Sequence, residues 1–584
     1  MTAPPTTGTT AIPHRLQIPA IFSLLLVILM ITLHQLGSGP CEVAVANPVV
    51  RFMRSGFCGA DVCGTNEAIE GVFVQDMVER GQVLFPTGQG GTPMYKPPLF
   101  HWTALAIDRL FGIHRVTAFN LRLPSVLYAL ATAILVMAFA MGRFGAGAGL
   151  LAGLVLAGSY QFIEIARMGR VDMVLTCCEA LALLSFLWWM PARGRPPARG
   201  AWPLRYLFAA ALGAAVLAKG PVGMLLPGLA IAIFMVSERR FGELWSWFIP
   251  GPAVLAIAIG ASWYLACFFA GRYSFLNRQL SSENFGRFIG TLGAMPPWYY
   301  LKPLLLNSGP LSLIAPFAMF FALRVRQPAT DVAAEPAALE AAARRRDALR
   351  LLAIFWIVTV VFFSLAAYKR RSYLLPLWPA SAVMIAWWFE SLGERFAGRF
   401  ARAALAIACA SMVIFNFLYI PWHEQRECAG QSYRAAATMI DRTVGPREPL
   451  YAYGFRADLA PLVFYLDRYV TPIHGRLGDA PPGYVLVPGQ VWAMVRDRAP
   501  GLAPVLIAPH GRFGLVLLSH GRFYARNDSP ASLHRTMHAL LLHRIAALGS
   551  SPLHDFDAAL CSPRSARCRR MSYPPFFRFA GFLP

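Results

Sequence analysis

Long apolar stretches recur along the first 420 residues, and they constrain the fold of this chain more than any other feature. The first stretch is Ile18–Leu36, and further ones follow at 119–142, 145–163, 171–190, 203–218, 221–236, 248–270, 299–323, 349–366, 372–390 and 400–420. About 20 apolar residues in a helix cross the hydrocarbon core of a bilayer. The pattern predicts a mainly α, polytopic membrane protein with about 11–13 transmembrane helices.

The composition excludes a single water-soluble globule. Of the 584 residues, 56% are hydrophobic and 14% are charged, whereas an average soluble domain carries about 25% charged residues. The formal net charge of +23 would suggest a nucleic-acid partner in a soluble protein. In a membrane protein, basic residues concentrate in cytoplasmic loops and near anionic headgroups, so no nucleic-acid partner is expected.

The distribution of arginines predicts the orientation of the chain. If the N-terminus is inside, the inward loops contain Arg143, Arg193, Arg195, Arg199, Arg239, Arg240, Arg344, Arg345, Arg346, Arg395, Arg399 and Arg402. This agrees with the positive-inside rule. We interpret Ile18–Leu36 as an uncleaved anchor, because it is longer than the apolar region of a usual signal peptide. Eleven spans then place the C-terminal segment outside.

The sequence divides into a membrane module, residues 1–420, and a C-terminal domain, residues 421–584. Within the module, the loop 37–118 is exported, and the Ala-, Glu- and Arg-rich segment 324–350 is a cytoplasmic linker of helical character. From Pro421 onward, short alternating runs such as Gly483–Val487 are bounded by Pro and Gly, as is typical of strands. This pattern predicts a small extracytoplasmic α/β domain.

A second set of basic residues lies at the exported ends of helices, where the positive-inside rule predicts depletion. The set consists of Lys96, Arg167, Arg170, Lys219, Lys369, Arg370 and Arg371. Because these residues lie at a common membrane depth, a bundle can gather them around one anionic group, for which a phosphate is the natural candidate. The alternative is that each side chain extends separately to the interface.

Acidic residues form the complementary set. Asn66, Glu67 and Glu70 lie at the start of a helix predicted at Glu67–Arg80, and Asp172 lies at the start of a span. An ionisable group at membrane depth is a functional hypothesis by default. For Asp172 the alternative is a helix N-terminal charge paired with a neighbouring arginine, and for Glu67 and Glu70 it is a solvated helix face.

Several motifs, in order along the chain, carry a resemblance to a known family. They are Asn66-Glu67-Ala68, Tyr95 to Trp102, Arg122-Leu123-Pro124, Arg167 to Asp172, Lys219-Gly220-Pro221, Glu283 to Phe288 and Lys369 to Pro379. The sequence resembles the polyprenyl-phosphate-sugar glycosyltransferases of the GT-C fold, the group that contains protein O-mannosyltransferases and lipid A aminoarabinose transferases. The resemblance spans most of residues 20–420.

The resemblance implies an inverting transferase in the bacterial inner membrane, with its active site facing the periplasm. Such an enzyme moves a sugar from a polyprenyl-phosphate carrier to an acceptor hydroxyl on a lipid, a glycan or a protein. Cations stabilise the leaving phosphate, and a carboxylate acts as general base. The substrate-binding candidates are Lys96, Arg170, Lys219, Arg287, Lys369, Arg370, Arg371 and Tyr373. The catalytic candidates are Asn66, Glu67, Glu70 and Asp172.

The sequence departs from the family pattern near its acidic motif. Asn66 stands where the family usually has the Asp that serves as base, and an amide cannot accept a proton at neutral pH. Glu70 replaces a frequent aromatic, and Tyr95 stands where some relatives have a Glu that helps to hold a metal. Glu67, Glu70 or Asp172 remains as the base, or else the chain is inactive or uses an unusual acceptor. No cofactor and no metal are expected, although a divalent metal stays open.

Two other classes of function remain. A transporter or flippase of a lipid-linked anion would use the cations for binding alone, although the internal repeats that many transporters have are not evident in the sequence. A non-catalytic subunit that binds polyprenyl phosphate is the third class, and Asn66 is its best support. The expected partners are therefore the lipid-linked donor, membrane lipid and an acceptor.

Overall fold

The computed structural model is a bundle of helices with a small sheet domain at one end. It describes residues 14–34, 36–38, 58–59, 65–88, 91–191, 193, 200, 202–240, 243, 250–291, 293–306, 309–326, 336–393, 396–428, 432–445, 448–455, 459–466, 468, 470–473, 475–499, 501–508 and 514–520. The helices of the bundle are α1 (His14–Leu33), α2 (Thr65–Arg80), α3 (Leu99–Leu110), α4 (Ala118–Phe144), α5 (Ala146–Gly158), α6 (Tyr160–Ala166), α7 (Val171–Trp189), α8 (Trp202–Lys219), α9 (Val222–Ser237), α10 (Pro250–Phe269), α11 (Tyr273–Leu276), α12 (Arg287–Ile289), α13 (Leu301–Leu306), α14 (Pro310–Leu323), α15 (Pro336–Leu365), α16 (Leu377–Ser391) and α17 (Phe396–Cys428).

The structure confirms a multi-pass membrane protein. Among the described helices, five are long and apolar enough to cross a bilayer by length and composition, and the number rises to seven if α5–α6 and α13–α14 are each one bent span. The count of 11–13 expected from sequence is not reached by this criterion. Each of the eleven apolar stretches contains helix in the part that the structure describes, but α9 has 16 residues and α16 has 15, which is short for a perpendicular span.

Local sequence explains where several of these helices begin and end. Thr117 and Asn120 form a capping box at the start of α4, and Pro98 precedes the first residue of α3. The last bundle helix differs from the expectation, because α17 continues through Pro421 to Cys428. This helix therefore crosses the predicted boundary at residue 420 and carries the chain toward the sheet domain.

The tail domain, residues 432–520, contains a five-stranded mixed sheet. Its elements are α18 (Arg434–Thr443), β3 (Leu450–Ala452), α19 (Ala460–Tyr465), β4 (Thr471–Pro472), β5 (Gly483–Pro488), α20 (Gly489–Val495), β6 (Leu502–Ala508) and β7 (Leu515–His520). The strand order is β4-β3-β5-β7-β6, with β3 parallel to both of its neighbours and β7 antiparallel to both of its own. A separate pair, β1 (Gly37–Ser38) and β2 (Cys58–Gly59), is parallel.

The tail domain packs on the bundle through a shared apolar core. Val72 of α2 and Leu121 of α4 are buried in the same cluster as Leu462 and Phe464 of α19. Gly71 permits the close approach, because a Cβ at this position would lie 2.5 Å from the Phe464 ring. Since α2 lies within the exported loop 37–118, this packing brings the tail domain next to the residues singled out in that loop.

Candidate functional site

A cavity of about 230 Å³ lies beside the start of α9 and contains charged and apolar residues. Its described lining consists of Tyr95, Lys96, Lys219, Pro221, Val222, Leu225, Gln279, Glu283, Asn284, Arg287, Phe288, Phe362, Phe363, Ala366, Tyr368 and Tyr373. We call it the cation cavity, because three basic residues and one carboxylate line it. Four of the substrate-binding candidates, Lys96, Lys219, Arg287 and Tyr373, therefore meet in one place.

Each of the three cations lies over a tyrosine ring. The Lys96 Nζ atom is 5.2 Å from the centre of the Tyr95 ring, and Lys219 Nζ is 4.7 Å from that of Tyr373. The Arg287 guanidinium carbon is 5.1 Å from the Tyr368 ring centre. Such contacts hold a cation in place without neutralising it. The ring contacts therefore leave the positive charge of each cation in place, and Lys219 and Arg287 also pair with Asp172 and Glu283.

The cation cavity has an excess of positive charge. Burial, together with the nearby charges of Arg287 and Lys219, lowers the pKa of Lys96 to about 7. Glu283 is the one carboxylate of the described lining, and its Oε2 lies 2.5 Å from Arg287 Nη2. An anionic ligand would reduce the repulsion between the cations, so this arrangement of charges favours an anion over a neutral molecule.

Asp172 fixes the position of Lys219 at the wall of this cavity. Its two carboxylate oxygens lie 2.5 Å from Lys219 Nζ and 2.9 Å from Arg170 Nη2. The predicted pairing with Arg170 is thus present, and Arg170 serves Asp172 without lining the cavity. Arg167 instead pairs with Glu424 at 2.9 Å and donates to backbone oxygens at the end of α1. Asp172 therefore forms ion pairs with both Lys219 and Arg170, and we regard its role as holding these two cations.

Glu67 is held in a buried ion pair away from the cavity lining. Arg122 donates to its two oxygens from Nε at 2.7 Å and from Nη2 at 3.0 Å. The backbone N–H of Gly169 donates to Glu67 as well, at 2.8 Å. Glu67 and Glu70 are both buried, so the alternative of a solvated helix face is wrong for this pair.

Glu70 differs from the other carboxylates because its partners are a phenol and a histidine. The Tyr95 hydroxyl donates to its Oε1 at 3.0 Å, and His101 Nε2 lies 2.8 Å from its Oε2. Burial raises the pKa of Glu70, but the hydrogen bond and charge of His101, together with Lys96, outweigh burial and give a net lowering. His101 is fully buried.

The remaining predicted cations lie outside the described cavity lining. Arg370 donates to Asn66 Oδ1 at 2.9 Å and to the Tyr368 hydroxyl. Arg371 lies 2.5 Å from Glu164. Lys369 donates to backbone oxygens of the adjoining loop. The predicted single cluster of all exported cations is therefore only partly formed, because these three are engaged by other groups.

Sequence reasoning identified the Glu283 to Phe288 motif but did not predict the conformation of the segment that contributes it to the cavity lining. Residues Asn277–Gly286 form a ten-residue π-helix, a rare conformation that is frequently found at functional sites. It contributes Gln279, Glu283 and Asn284 to the lining. The i,i+4 spacing of Glu283 and Arg287 was the available sequence signal, but a π-helix cannot be read from spacing alone.

The described residues do not form a recognisable metal site. In this part of the chain, no group of three or more His, Cys, Asp or Glu side chains could hold a metal ion. Asn66 and Tyr95 contribute an amide and a phenol to the region, and both are weak ligands for a divalent cation compared with carboxylates. We therefore derive no chemical step through a metal.

Comparison with known proteins identifies the fold. The crystal structure of ArnT from Cupriavidus metallidurans bound to undecaprenyl phosphate superposes with a TM-score of 0.67 and 17% sequence identity, covering 88% of this chain and 100% of that chain. The chain has the GT-C fold. The apo form of the same protein gives a TM-score of 0.66. The GT-C assignment expected from the sequence motifs is confirmed.

Sequence comparisons agree with the GT-C fold. The family described as dolichyl-phosphate-mannose-protein mannosyltransferase matches residues 95–264, which include the Lys96 and Lys219 motifs. An undecaprenyl phosphate-alpha-4-amino-4-deoxy-L-arabinose arabinosyl transferase of Pectobacterium carotovorum is 26% identical over 59% of this chain and 61% of its own length. An uncharacterised protein of Aquifex aeolicus is 25% identical over 55% of this chain and 58% of its own length. The chain thus spans about three fifths of these curated relatives.

Proposed function

We propose that this chain is a membrane glycosyltransferase that moves a sugar from a polyprenyl-phosphate carrier to an acceptor hydroxyl. The observation that carries the proposal is the cation cavity, in which Lys96, Lys219 and Arg287 face one space. Three cations with one carboxylate among them suit a phosphodiester better than a neutral sugar or a cation. The similarity to proteins named for undecaprenyl-phosphate-linked arabinose supports the same chemistry.

The apolar side of the cavity suits the lipid part of such a donor. Leu225 and Phe288 line the cavity and remain 47% and 40% exposed at the surface of the bundle. Phe362 and Phe363 continue this apolar wall. A prenyl chain can therefore lie along the bundle in the hydrocarbon phase while its phosphate reaches the cations.

The cations have a defined task in the reaction. As the acceptor oxygen attacks the anomeric carbon, the bond from that carbon to the phosphate oxygen breaks, and its electron pair stays on the phosphate. Lys96, Lys219 and Arg287 stabilise this developing charge, and Tyr373 supports Arg287 through a 2.9 Å hydrogen bond. Stabilisation of charge that develops only in the transition state raises the rate directly. Attack opposite the leaving phosphate inverts the anomeric centre.

We propose that the reaction takes place on the outer side of the membrane. The cation cavity lies near the tail domain, and the positive-inside rule puts that end of the bundle outside the cytoplasm. We place the reaction on the periplasmic side of a bacterial inner membrane, with a lipid, glycan or protein as acceptor.

A non-catalytic subunit that binds polyprenyl phosphate is the second candidate. It is favoured by two observations, the amide at Asn66 and the capture of Glu67 by Arg122. Both candidates require the cavity to bind the carrier, and only the transferase consumes a donor. Turnover therefore separates them.

The test uses a strain of the source bacterium in which the gene is deleted. If the protein is a transferase, its deletion leaves the polyprenyl-phosphate sugar unspent, so mass spectrometry of the membranes should show this lipid accumulating. The purified protein in nanodiscs, supplied with membranes of that strain as the source of acceptor, should convert the lipid to free polyprenyl phosphate. Arg287→Ala should lower kcat/KM about 10- to 100-fold, as expected for loss of a charge-assisted contact. Arg344→Ala is the matched control, because Arg344 forms the same i,i+4 pair with Glu340 at 2.6 Å. Binding of the carrier without accumulation or turnover would favour the subunit.

A further inference from the structure

A second cavity, of about 320 Å³, lies between the first loop region and the tail domain. Its described lining consists of Ile69, Val72, Phe73, Gly88, Thr92, Tyr95, Arg278, Ala452, Gly454, Phe455, Leu459, Ala460, Pro472 and Ile473. It combines apolar and aromatic surface with a few polar groups, as is usual for sites that bind small molecules or sugar residues. We call it the tail cavity.

The two cavities share a boundary. Tyr95 lines both of them, and the π-helix contributes Arg278 to the tail cavity and Glu283 to the cation cavity. A group held in the tail cavity therefore lies across the Tyr95 side chain from a phosphate held by Lys96. In a transferase, acceptor and donor must approach each other within contact distance, so the shared Tyr95 marks the place where the two sites adjoin.

The Tyr95 hydroxyl begins a buried chain of hydrogen bonds that leads away from both cavities. It donates to Glu70 at 3.0 Å, and Glu70 contacts His101 at 2.8 Å. His101 is completely buried, its Nδ1 atom has no hydrogen-bond partner among the described residues, and its ring packs edge-on against Phe73 and Phe100. No arginine or lysine contacts Glu70 within ion-pair distance in the described structure, whereas Glu67 and Asp172 each have such a partner.

We propose that the tail cavity holds a sugar-bearing acceptor and that Tyr95 passes the proton of the acceptor hydroxyl to Glu70. This inference rests on the proposed function and names the acceptor site and the proton acceptor of the same reaction. The acceptor proton moves to Tyr95 Oη while the proton of Tyr95 moves to Glu70 Oε1. The acceptor oxygen forms its bond to the anomeric carbon, and the electron pair of the broken bond stays on the phosphate. Tyr95 is the catalytic residue, and Glu70 and His101 are positioning residues behind it.

The tail-cavity lining indicates the class of acceptor. Phe73, Tyr95 and Phe455 offer aromatic surface for the C–H faces of a sugar ring, and Arg278 offers hydrogen-bond donors to hydroxyl or anionic groups. Because the tail domain supplies half of this lining, the acceptor can enter from outside the membrane. We therefore infer a sugar residue of an envelope glycan or glycolipid.

The test measures turnover of the donor lipid purified from the deletion strain, with membranes of that strain as the source of acceptor. Tyr95→Phe removes the hydroxyl, and Glu70→Gln keeps an oxygen that can accept its hydrogen bond, so a merely structural role of Glu70 is largely preserved in the second variant. Both variants should lower kcat about 10²- to 10⁴-fold, the range for general acid–base catalysis, with the KM for the donor changed less than about threefold. Tyr264→Phe, which removes another buried hydroxyl, should behave as wild type. Ile473→Trp should raise the KM for the acceptor.

The outcomes separate the inference from the function on which it depends. Binding of undecaprenyl phosphate checks that each variant is folded and that its cation cavity is intact. If the wild-type protein turns over the donor while Tyr95→Phe or Glu70→Gln keeps full kcat, the proton route is wrong and the transferase remains. If Ile473→Trp leaves the KM for the acceptor unchanged, the acceptor does not use the tail cavity. If the wild-type protein binds the carrier and never consumes the donor, the proposed function itself fails.

Discussion

The two ends of the bundle both contain clusters of buried charge, and one of these clusters lines the cation cavity. Helix α9 has 16 residues and connects the two ends over about 24 Å. At its start is the cation cavity, with three basic residues and one carboxylate in the described lining. At its end, Arg240, Arg346 and Arg350 pair with Glu238, Glu243 and Asp347.

The difference between the clusters lies in how their charges are balanced. Arg346 donates to both oxygens of Glu238, at 2.9 and 3.0 Å, and Arg350 lies 2.5 Å from the same carboxylate. This cluster is therefore already neutral and serves to join α9 to α15. The cation cavity stays positive, so an anion from outside must complete it. Unbalanced charge, and not the presence of charge, marks the binding end of this molecule.

The largest expected effect on stability is at the balanced end. Arg346→Ala should lower the free energy of unfolding by about 3 kcal/mol, because removal of one partner leaves a buried charge incompletely paired. Thermal unfolding in detergent measures this change, and the affinity for undecaprenyl phosphate should stay the same. Arg344→Ala, at a more exposed pair, should cost less than about 1 kcal/mol. If a folded Arg346→Ala variant no longer binds the carrier, then the balanced cluster takes part in carrier binding and the difference between the two ends is wrong.

At the unbalanced end, activity should respond more than stability. Lys219→Ala should lower kcat about 100- to 1,000-fold, since a cation that stabilises the leaving phosphate is lost. The shift in unfolding temperature should be smaller than for Arg346→Ala, because Asp172 keeps Arg170 at 2.9 Å. Steady-state turnover and thermal unfolding of the same preparation measure both quantities. If Lys219→Ala and Arg346→Ala change stability and activity to the same extent, the two ends of the bundle do not differ in function.

The contact between bundle and tail domain should give an intermediate effect. In Gly71→Ala, the new Cβ would lie 2.5 Å from the Phe464 ring, and overpacking of this kind costs about 1–3 kcal/mol. We expect a higher KM for the acceptor and unchanged carrier affinity. Gly142→Ala is the matched control, because a Cβ at this helical position meets nothing within 4 Å. An altered carrier affinity in Gly71→Ala would show that the two cavities are not independent.

The smallest effect is the uptake of protons when the carrier binds. The pKa of Lys96 is lowered to about 7, so above that pH its amine is mostly neutral, and a bound phosphate would favour the protonated form. Binding of a short-chain polyprenyl phosphodiester should therefore take up close to one proton at pH 8 and almost none at pH 6. Calorimetry in buffers with different ionisation enthalpies measures the uptake. Lys96→Ala should abolish it, and an uptake that survives in this variant would assign the titration to another group.

The sequence was sufficient to predict the fold class and part of the site. Lys96 and Lys219 each adjoin a proline or glycine at a helix end, so their common depth followed from the apolar pattern. The partner of Glu67 could not be predicted, because Arg122 is 55 positions away and pairs with it only after α2 packs against α4. The same reason applies to Arg167 and Glu424, which are 257 positions apart.

Two of the departures from the family pattern, at positions 70 and 95, are in direct contact with each other in the structure. The resemblance leads one to expect an aromatic residue near position 70 and, in some relatives, a Glu at position 95. This chain has Glu70 and Tyr95, and the two side chains are hydrogen-bonded at 3.0 Å. The carboxylate and the aromatic ring have in effect changed places. A comparison of sequences alone shows two missing family residues, because it does not show that the two positions are in contact.

The tyrosine ring beneath each cavity cation also has an entropic consequence. A free lysine or arginine side chain loses about 0.5–1.5 kcal/mol of rotational freedom when a ligand immobilises it. Lys96, Lys219 and Arg287 are already restrained by Tyr95, Tyr373 and Tyr368. Much of the loss of side-chain freedom has therefore occurred during folding. A phosphate that binds has less side-chain entropy to remove, because the three cations are already in position.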